Sequence, residues 1–120
     1  MNVSWSLTLQ ILPRVLKGLL VTVEATVVGM ALALVIGLIL MLGRRSKRRL
    51  VSAPVRFVIE FIRSTPLLVQ LYFIFFVFPD LGIRLGPLLA GVIGLGLHYG
   101  CYMSEVYRSG IDNIPKGQWE

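Results

Sequence analysis

The run GLLVTVEATVVGMALALVIGLILMLG, residues 18–43, holds 26 residues and a single charge, Glu24. As an α-helix it would be roughly 39 Å long, at ~1.5 Å per residue. That exceeds a hydrocarbon core of ~30 Å, so the run crosses a bilayer with tilt or with projecting ends. It is too long for the apolar region of a signal peptide, and no basic segment opens the chain. The composition agrees: 120 residues are 56% hydrophobic and 15% charged, with a mean hydropathy of +0.80. A soluble domain of this size needs more polar cover, so the chain reads as a membrane protein.

Upstream, residues 1–10 carry no charge, and Arg14 and Lys17 stand just before the apolar run. Downstream, GRRSKRRL (residues 43–50) places Arg44, Arg45, Lys47, Arg48 and Arg49 within six positions. On a short loop between apolar segments such cations fix orientation. They place the loop in the cytoplasm and the N-terminus outside. A net charge of +6 would suggest nucleic acid in a soluble protein. Here the basic run is tethered between apolar segments and has no interleaved aromatics, which argues against nucleic acid.

The next segment, SAPVRFVIEFIRSTP (residues 52–66), is amphipathic: Arg56, Glu60 and Arg63 recur at spacings of four and three and share one helical face. Pro66 breaks or kinks it, and LLVQLYFIFFVF (residues 67–78) then runs uncharged. The pattern predicts an interfacial lead-in joined to a span going outward. PDLGIRLGP (residues 79–87) is a turn-rich outer loop, and residues 85–104 are 20 uncharged positions that return the chain to the cytoplasm. The expected elements are helix 1 at about 16–43, helix 2 at about 50–78 and helix 3 at about 85–109, in a single transmembrane domain. Two sets of small residues, Gly29/Ala33/Gly37 and Gly96/Gly100, lie at the four-residue spacing that lets helices approach closely in lipid.

Enzymatic chemistry is sparse. No phosphate loop of the form GxxxxGK[ST] is present, and GLGLHYG (residues 94–100) puts its third glycine one place late for a dinucleotide fingerprint. His98 is the sole histidine and Cys101 the sole cysteine, so neither a metal cluster nor a disulfide framework is indicated. No cofactor is expected, and the chain is not an enzyme by itself. Ionisable and strongly polar groups inside spans invite a functional reading. Glu24, Gln70, His98 and Tyr99 each serve either as interhelical hydrogen-bonding groups or as part of a solute pathway. Glu105 and Arg108, three apart, read as a helix-surface ion pair.

Three stretches carry a resemblance. FIRSTPLLVQLYF (residues 61–73) is similar to the F-R-G-T-P-L-L-V-Q signature of permease subunits of polar amino acid ABC importers, with Arg63, Thr65 and Pro66 matched and Ser64 where glycine is usual. GLLVTVEAT (residues 18–26) resembles that family's first-helix opening. YMSEVYRSGIDNIPKGQWE (residues 102–120) resembles its coupling stretch, matched at Glu105, Arg108, Gly110, Ile114, Pro115, Lys116, Gly117, Gln118 and Glu120. Within the family, residues 18–29 and 93–111 are most similar to permeases for ectoine and hydroxyectoine.

The resemblance implies an all-α, polytopic membrane protein of the type I ABC importer permease fold, with three transmembrane helices present of about five. It implies a multi-pass protein of the bacterial cytoplasmic (inner) membrane. Its implied partners are ABC ATPase subunits, a second permease subunit and an extracytoplasmic solute-binding protein. Gly110, Ile114, Pro115, Lys116, Gly117, Gln118 and Glu120 would couple the permease to the ATPase, and residues 110–120 would begin the coupling loop. Pro115 suits the first turn of a helix, with Asp112 or Asn113 placed to cap it. The family motif continues past this point, so the reading also expects the chain to be truncated. The competing expectation is a small three-span membrane protein, pore-forming or regulatory, without a transport role.

Overall fold

A computed structural model of the chain describes residues 5–115 and Gly117. Every regular element among the described residues is helical: α1 (Trp5–Arg44), α2 (Arg49–Ser64), α3 (Leu67–Tyr72) and α4 (Pro87–Asp112). A π-helical stretch, Phe73–Val77, and a 3₁₀ turn, Phe78–Leu81, carry α3 onward without a break. Gly82 closes that turn with φ 88°, a left-handed conformation that glycine adopts without steric cost.

α1 begins eleven residues earlier than position 16, the expected start. Its 40 residues give about 60 Å at ~1.5 Å per residue, and the molecule extends 64 Å along its longest axis. Only Gly29, Ala33, Gly37 and Met41 of α1 are buried, a stripe one residue per turn wide. Leu32, Ile36 and Leu40 flank that stripe half-buried, and the other apolar side chains such as Val35, Ile39 and Leu42 face outward. Thr22 and Thr26 donate their hydroxyls to the carbonyls of Gly18 and Thr22, at 2.9 and 2.7 Å. This satisfies both hydroxyls within the helix.

The buried stripe of α1 lies on α4. A Cβ built on Gly37 would stand 2.7 Å from Met103 Cβ and 3.0 Å from the Gly100 carbonyl oxygen. One built on Gly100 would stand 2.7 Å from Ile36 Cγ2. The two small-residue sets therefore interlock with each other, each helix laying its branched side chains over the other's glycines, and backbone-close packing supplies the attraction that lipid does not. Tyr107 adds a polar tie across the pair, its hydroxyl donating to the Leu34 carbonyl at 3.1 Å.

α4 is the inner helix. Ala90, Val92, Gly94, Gly96, His98, Gly100, Cys101 and Ser104 are all buried, on faces turned to both α1 and α3. It extends to Asp112, past the expected end at 109, so Gly110 sits inside it. Among the described residues α1 is the one helix long and apolar enough to cross a membrane, and the α2–α3 pair makes a second candidate if counted as one broken span. The expectation of three apolar spans thus meets one or two. α4, 26 residues long, has the length, but it spends its sequence on glycines and polar groups that face protein.

The break expected at Pro66 within the element of about 50–78 is a bend of 101° between Ser64 and Leu67, which makes it two helices. The reason is local. Pro66 lacks an N–H and drives the preceding residue out of the helical region: Thr65 has ψ 131° and Pro66 ψ 141°. α2 therefore runs across the direction of α3, with Leu50, Phe57 and Phe61 exposed.

Candidate functional site

The bend strands the last carbonyls of α2, which have no intrahelical donors. Gln70, four residues past Pro66, lies one turn into α3 and turns back to meet them. Its Nε2 donates to Ile62 O at 2.9 Å and to Thr65 O at 3.0 Å. Thr65 contributes both its N–H, to Ile62 O at 3.1 Å, and its hydroxyl, to Phe61 O at 2.8 Å. The stretch RSTPLLVQ thus works as one structural unit: proline makes the break, and threonine and glutamine close it.

Gln70 Nε2 also stands 3.0 Å from Nδ1 of His98 on α4, which accepts in the Nε2–H tautomer. Two hydrogens are shared among three acceptors, and Gln70 Oε1 is buried with no donor among the described residues. Around His98 pack Tyr99 and Tyr102, with ring centroids 5.1 and 5.2 Å away. Tyr102 in turn donates to the Arg63 carbonyl at 3.3 Å and lies 5.2 Å beneath the Arg63 guanidinium, a cation–π geometry. One polar cluster therefore joins Arg63, Thr65, Gln70, His98, Tyr99 and Tyr102 across the α2–α3 break and the middle of α4. It can bind through hydrogen bonds and ring faces, and it contains no nucleophile–base pair.

Glu24 is elsewhere. It borders a cavity of about 330 Å³ with Val28 of α1 and Leu88, Leu89 and Val92 at the start of α4. Twenty residues separate Glu24 from Arg44, or about 30 Å of helix, the thickness of a hydrocarbon core. The carboxylate and the basic loop thus lie a membrane's width apart, and Glu24 does not join the Gln70–His98 cluster.

At the basic end the expected Glu105–Arg108 pair is not the main one. Glu105 Oε1 pairs with Arg44 Nη1 across the α1–α4 interface, while Arg108 Nε remains 3.9 Å from Glu105 Oε2. Arg45 Nη1 pairs with Asp112 Oδ1 at 2.9 Å. Asp112 therefore ends α4 with its carboxylate engaged, and Asn113 is the C-cap of α4; the helix expected to open at Pro115 runs into positions outside the described residues. Gly110, Ile114, Pro115 and Gly117 are exposed and touch neither the Gln70–His98 cluster nor the cavity beside Glu24. Lys116, Gln118 and Glu120 lie outside the described residues.

Two participants escape sequence reading. Tyr102 carried a signal, since it follows His98 by four residues and so shares its face. Arg44 was hidden inside a run of cations in which no single member stands out.

Comparison with known proteins follows the same architecture. The family model for the binding-protein-dependent transport system inner membrane component matches residues 29–120. A probable amino-acid ABC transporter permease protein of Sinorhizobium fredii is 40% identical over 119 residues, covering 99% of this chain and 52% of the relative. The L-cystine transport system permease protein of Bacillus subtilis is 38% identical over 123 residues, covering 98% and 51%. A crystal structure of an amino acid ABC transporter with histidines superposes with a TM-score of 0.89 at 30% identity, over 98% of this chain and 55% of that one. The chain spans about half the length of the curated relatives it matches.

Proposed function

The chain belongs to the family of binding-protein-dependent transport system inner membrane components, and on that premise we propose that it forms part of the permease of an amino acid ABC importer. It is a bacterial membrane protein and a transport component rather than an enzyme. The observation that carries the proposal is the extent of the likeness. A TM-score of 0.89 holds over 98% of the chain.

In this reading the basic loop after α1 is cytoplasmic, by the positive-inside bias, and the N-terminus is outside. An extracytoplasmic binding protein delivers the solute, a second permease subunit completes the pathway, and separate ATPase subunits supply the work. Gly110, Ile114, Pro115, Lys116, Gly117, Gln118 and Glu120 form the ATPase-facing element. Arg63, Thr65 and Pro66 hold the bend, and Glu105 and Arg108 belong to the charged end. Gln70, His98 and Tyr99 line the solute pathway from one cluster. Glu24 lies at the opposite entrance. ATP binding and hydrolysis then bias a two-state membrane element between outward and inward access.

The solute class is a polar amino acid. The relatives' names give amino acids such as L-cystine, and the ectoine-like stretches make ectoine the informative competitor. In proteoliposomes carrying the chain, a second permease subunit, an amino acid ABC ATPase and a binding protein, ATP-dependent uptake of labelled cystine is expected. Excess ectoine is expected to leave that uptake undiminished. A chain that inserts but neither retains the ATPase on purification nor supports uptake would refute the proposal and favour the small membrane protein without a transport role.

A further inference from the structure

At the charged end of the α1–α4 pair lies a cleft of about 390 Å³, lined by Arg44, Arg45, Lys47, Arg56, Arg108 and Asp112. Five cations face one carboxylate. That volume falls in the range of small-molecule pockets, roughly 300–1,000 Å³. The cations come from three elements: the end of α1 with the loop beyond it, the polar face of α2, and the last turns of α4. Arg44 has its Nη1 on Glu105, but its Nε is buried with no acceptor among the described residues. Asp112, 55% exposed, pairs with Arg45 among the described residues. Lys47 and Arg56 remain to face an anion, with Arg108, whose Nε stands 3.9 Å from Glu105 Oε2, beside them.

We infer that this cleft binds the phosphate headgroup of an anionic glycerophospholipid. The chemistry shared with free phosphate is a compact, multiply accepting anion. Two features favour the lipid. The apolar side chains of α1 stay exposed up to the cleft, with Ile39 and Leu42 about 60% accessible, so an acyl chain has a surface to follow. α2, lying across α3 at 101°, turns Leu50, Phe57 and Phe61 outward while Arg56 faces the cleft. That is the arrangement of a helix seated at the headgroup level, with its cations toward the phosphates. A soluble anion or an acidic protein segment needs the cations but not these apolar flanks. The inference stands apart from the transport reading, since it requires only that the chain sit in a bilayer.

The test is native mass spectrometry of the full chain in an uncharged detergent, with dioleoyl phosphatidylglycerol and dioleoyl phosphatidylcholine offered at equal concentration. Phosphatidylglycerol is expected to be retained preferentially. Arg56→Gln and Lys47→Gln should each weaken that retention about five-fold, the share of one surface cation. Lys47 lies in the loop between α1 and α2, so its substitution leaves the helices intact. Asp112→Asn should strengthen retention, because it frees Arg45, an outcome that a merely structural carboxylate would not give. Equal retention of the two lipids, or undiminished retention in both cation variants, would overturn the inference. Displacement of phosphatidylglycerol by millimolar inorganic phosphate would overturn the lipid in favour of a free anion. Displacement by a micromolar octaglutamate peptide would overturn it in favour of a protein partner.

Discussion

Replacing Gln70 with leucine keeps the side chain's bulk and removes both hydrogens that close the bend. Thr65 O then has no donor among the described residues, while Ile62 O keeps the Thr65 N–H at 3.1 Å. Stranding one carbonyl costs about 1–3 kcal/mol, and the second lost bond adds about 0.5–1.5 kcal/mol. Against this, the unpaired Oε1 also disappears, which returns part of its own desolvation cost. The net is about 1–3 kcal/mol in favour of other α2–α3 angles, or roughly 5–150-fold in the bend equilibrium. Spin labels at Leu50 and Leu68, 91% and 78% exposed, would report that angle as an electron–electron distance distribution. The parent is expected to give one narrow distribution and Gln70→Leu a broadened one. Gln70→Glu should disturb it further, because a carboxylate oxygen would face two carbonyl oxygens where an N–H now stands. An unchanged distribution in Gln70→Leu, or a smaller effect of glutamate than of leucine, would refute the account of the bend.

Gly37→Ala should cost about 1–3 kcal/mol through overpacking against Met103 and the α4 backbone. Gly18→Ala, with nothing within 4 Å of the new methyl group, should gain up to about 1 kcal/mol of helix propensity, both read from denaturation midpoints in detergent. A double-mutant cycle of Arg44→Gln and Glu105→Gln should give a coupling of about 1–3 kcal/mol. The same cycle for Glu105 and Arg108, 3.9 Å apart with Arg108 40% exposed, should give no more than about 0.5 kcal/mol. In the assembled transporter, changes at Gly117 and Glu120 should lower ATP-driven uptake while ATP hydrolysis and membrane insertion persist, measured side by side in proteoliposomes.

The apolar run of residues 18–43 and the break at Pro66 are both legible in the sequence, because length, hydropathy and the proline ring act locally. The four-residue spacing of Gly29, Ala33 and Gly37 likewise marks a packing face. It does not say what packs there, since Gly96 and Gly100 carry the same period. Glu105 illustrates the harder case. Its nearest cation in sequence is Arg108, yet Arg44 reaches it first because the α1–α4 crossing brings the two helix ends together. Gln70 looked like a polar group awaiting a partner in the membrane. Its role as a lock on α2 exists only once the chain has turned by 101°, and a proline marks the break without giving its angle or which side chain closes it. The extension of α4 through Gly110 was missed for a related reason: glycine lowers helix propensity, yet the Asn113 N–H reaches back to Ser109 O at 3.2 Å and closes the turn that contains it.

The interlock of α1 with α4 also sets an order of events during biosynthesis. Asp112 lies 68 residues beyond Arg44, so at ~5–20 residues per second the ribosome needs about 3–14 s to complete the second helix after finishing the first. During that interval the Gly29–Ala33–Gly37 face has no mate, and α2 and α3 emerge first. A nascent chain in that window presents a close-approach surface to any neighbouring helix. Its correct assembly therefore depends on the insertion machinery keeping α1 nearby and uncommitted until α4 arrives.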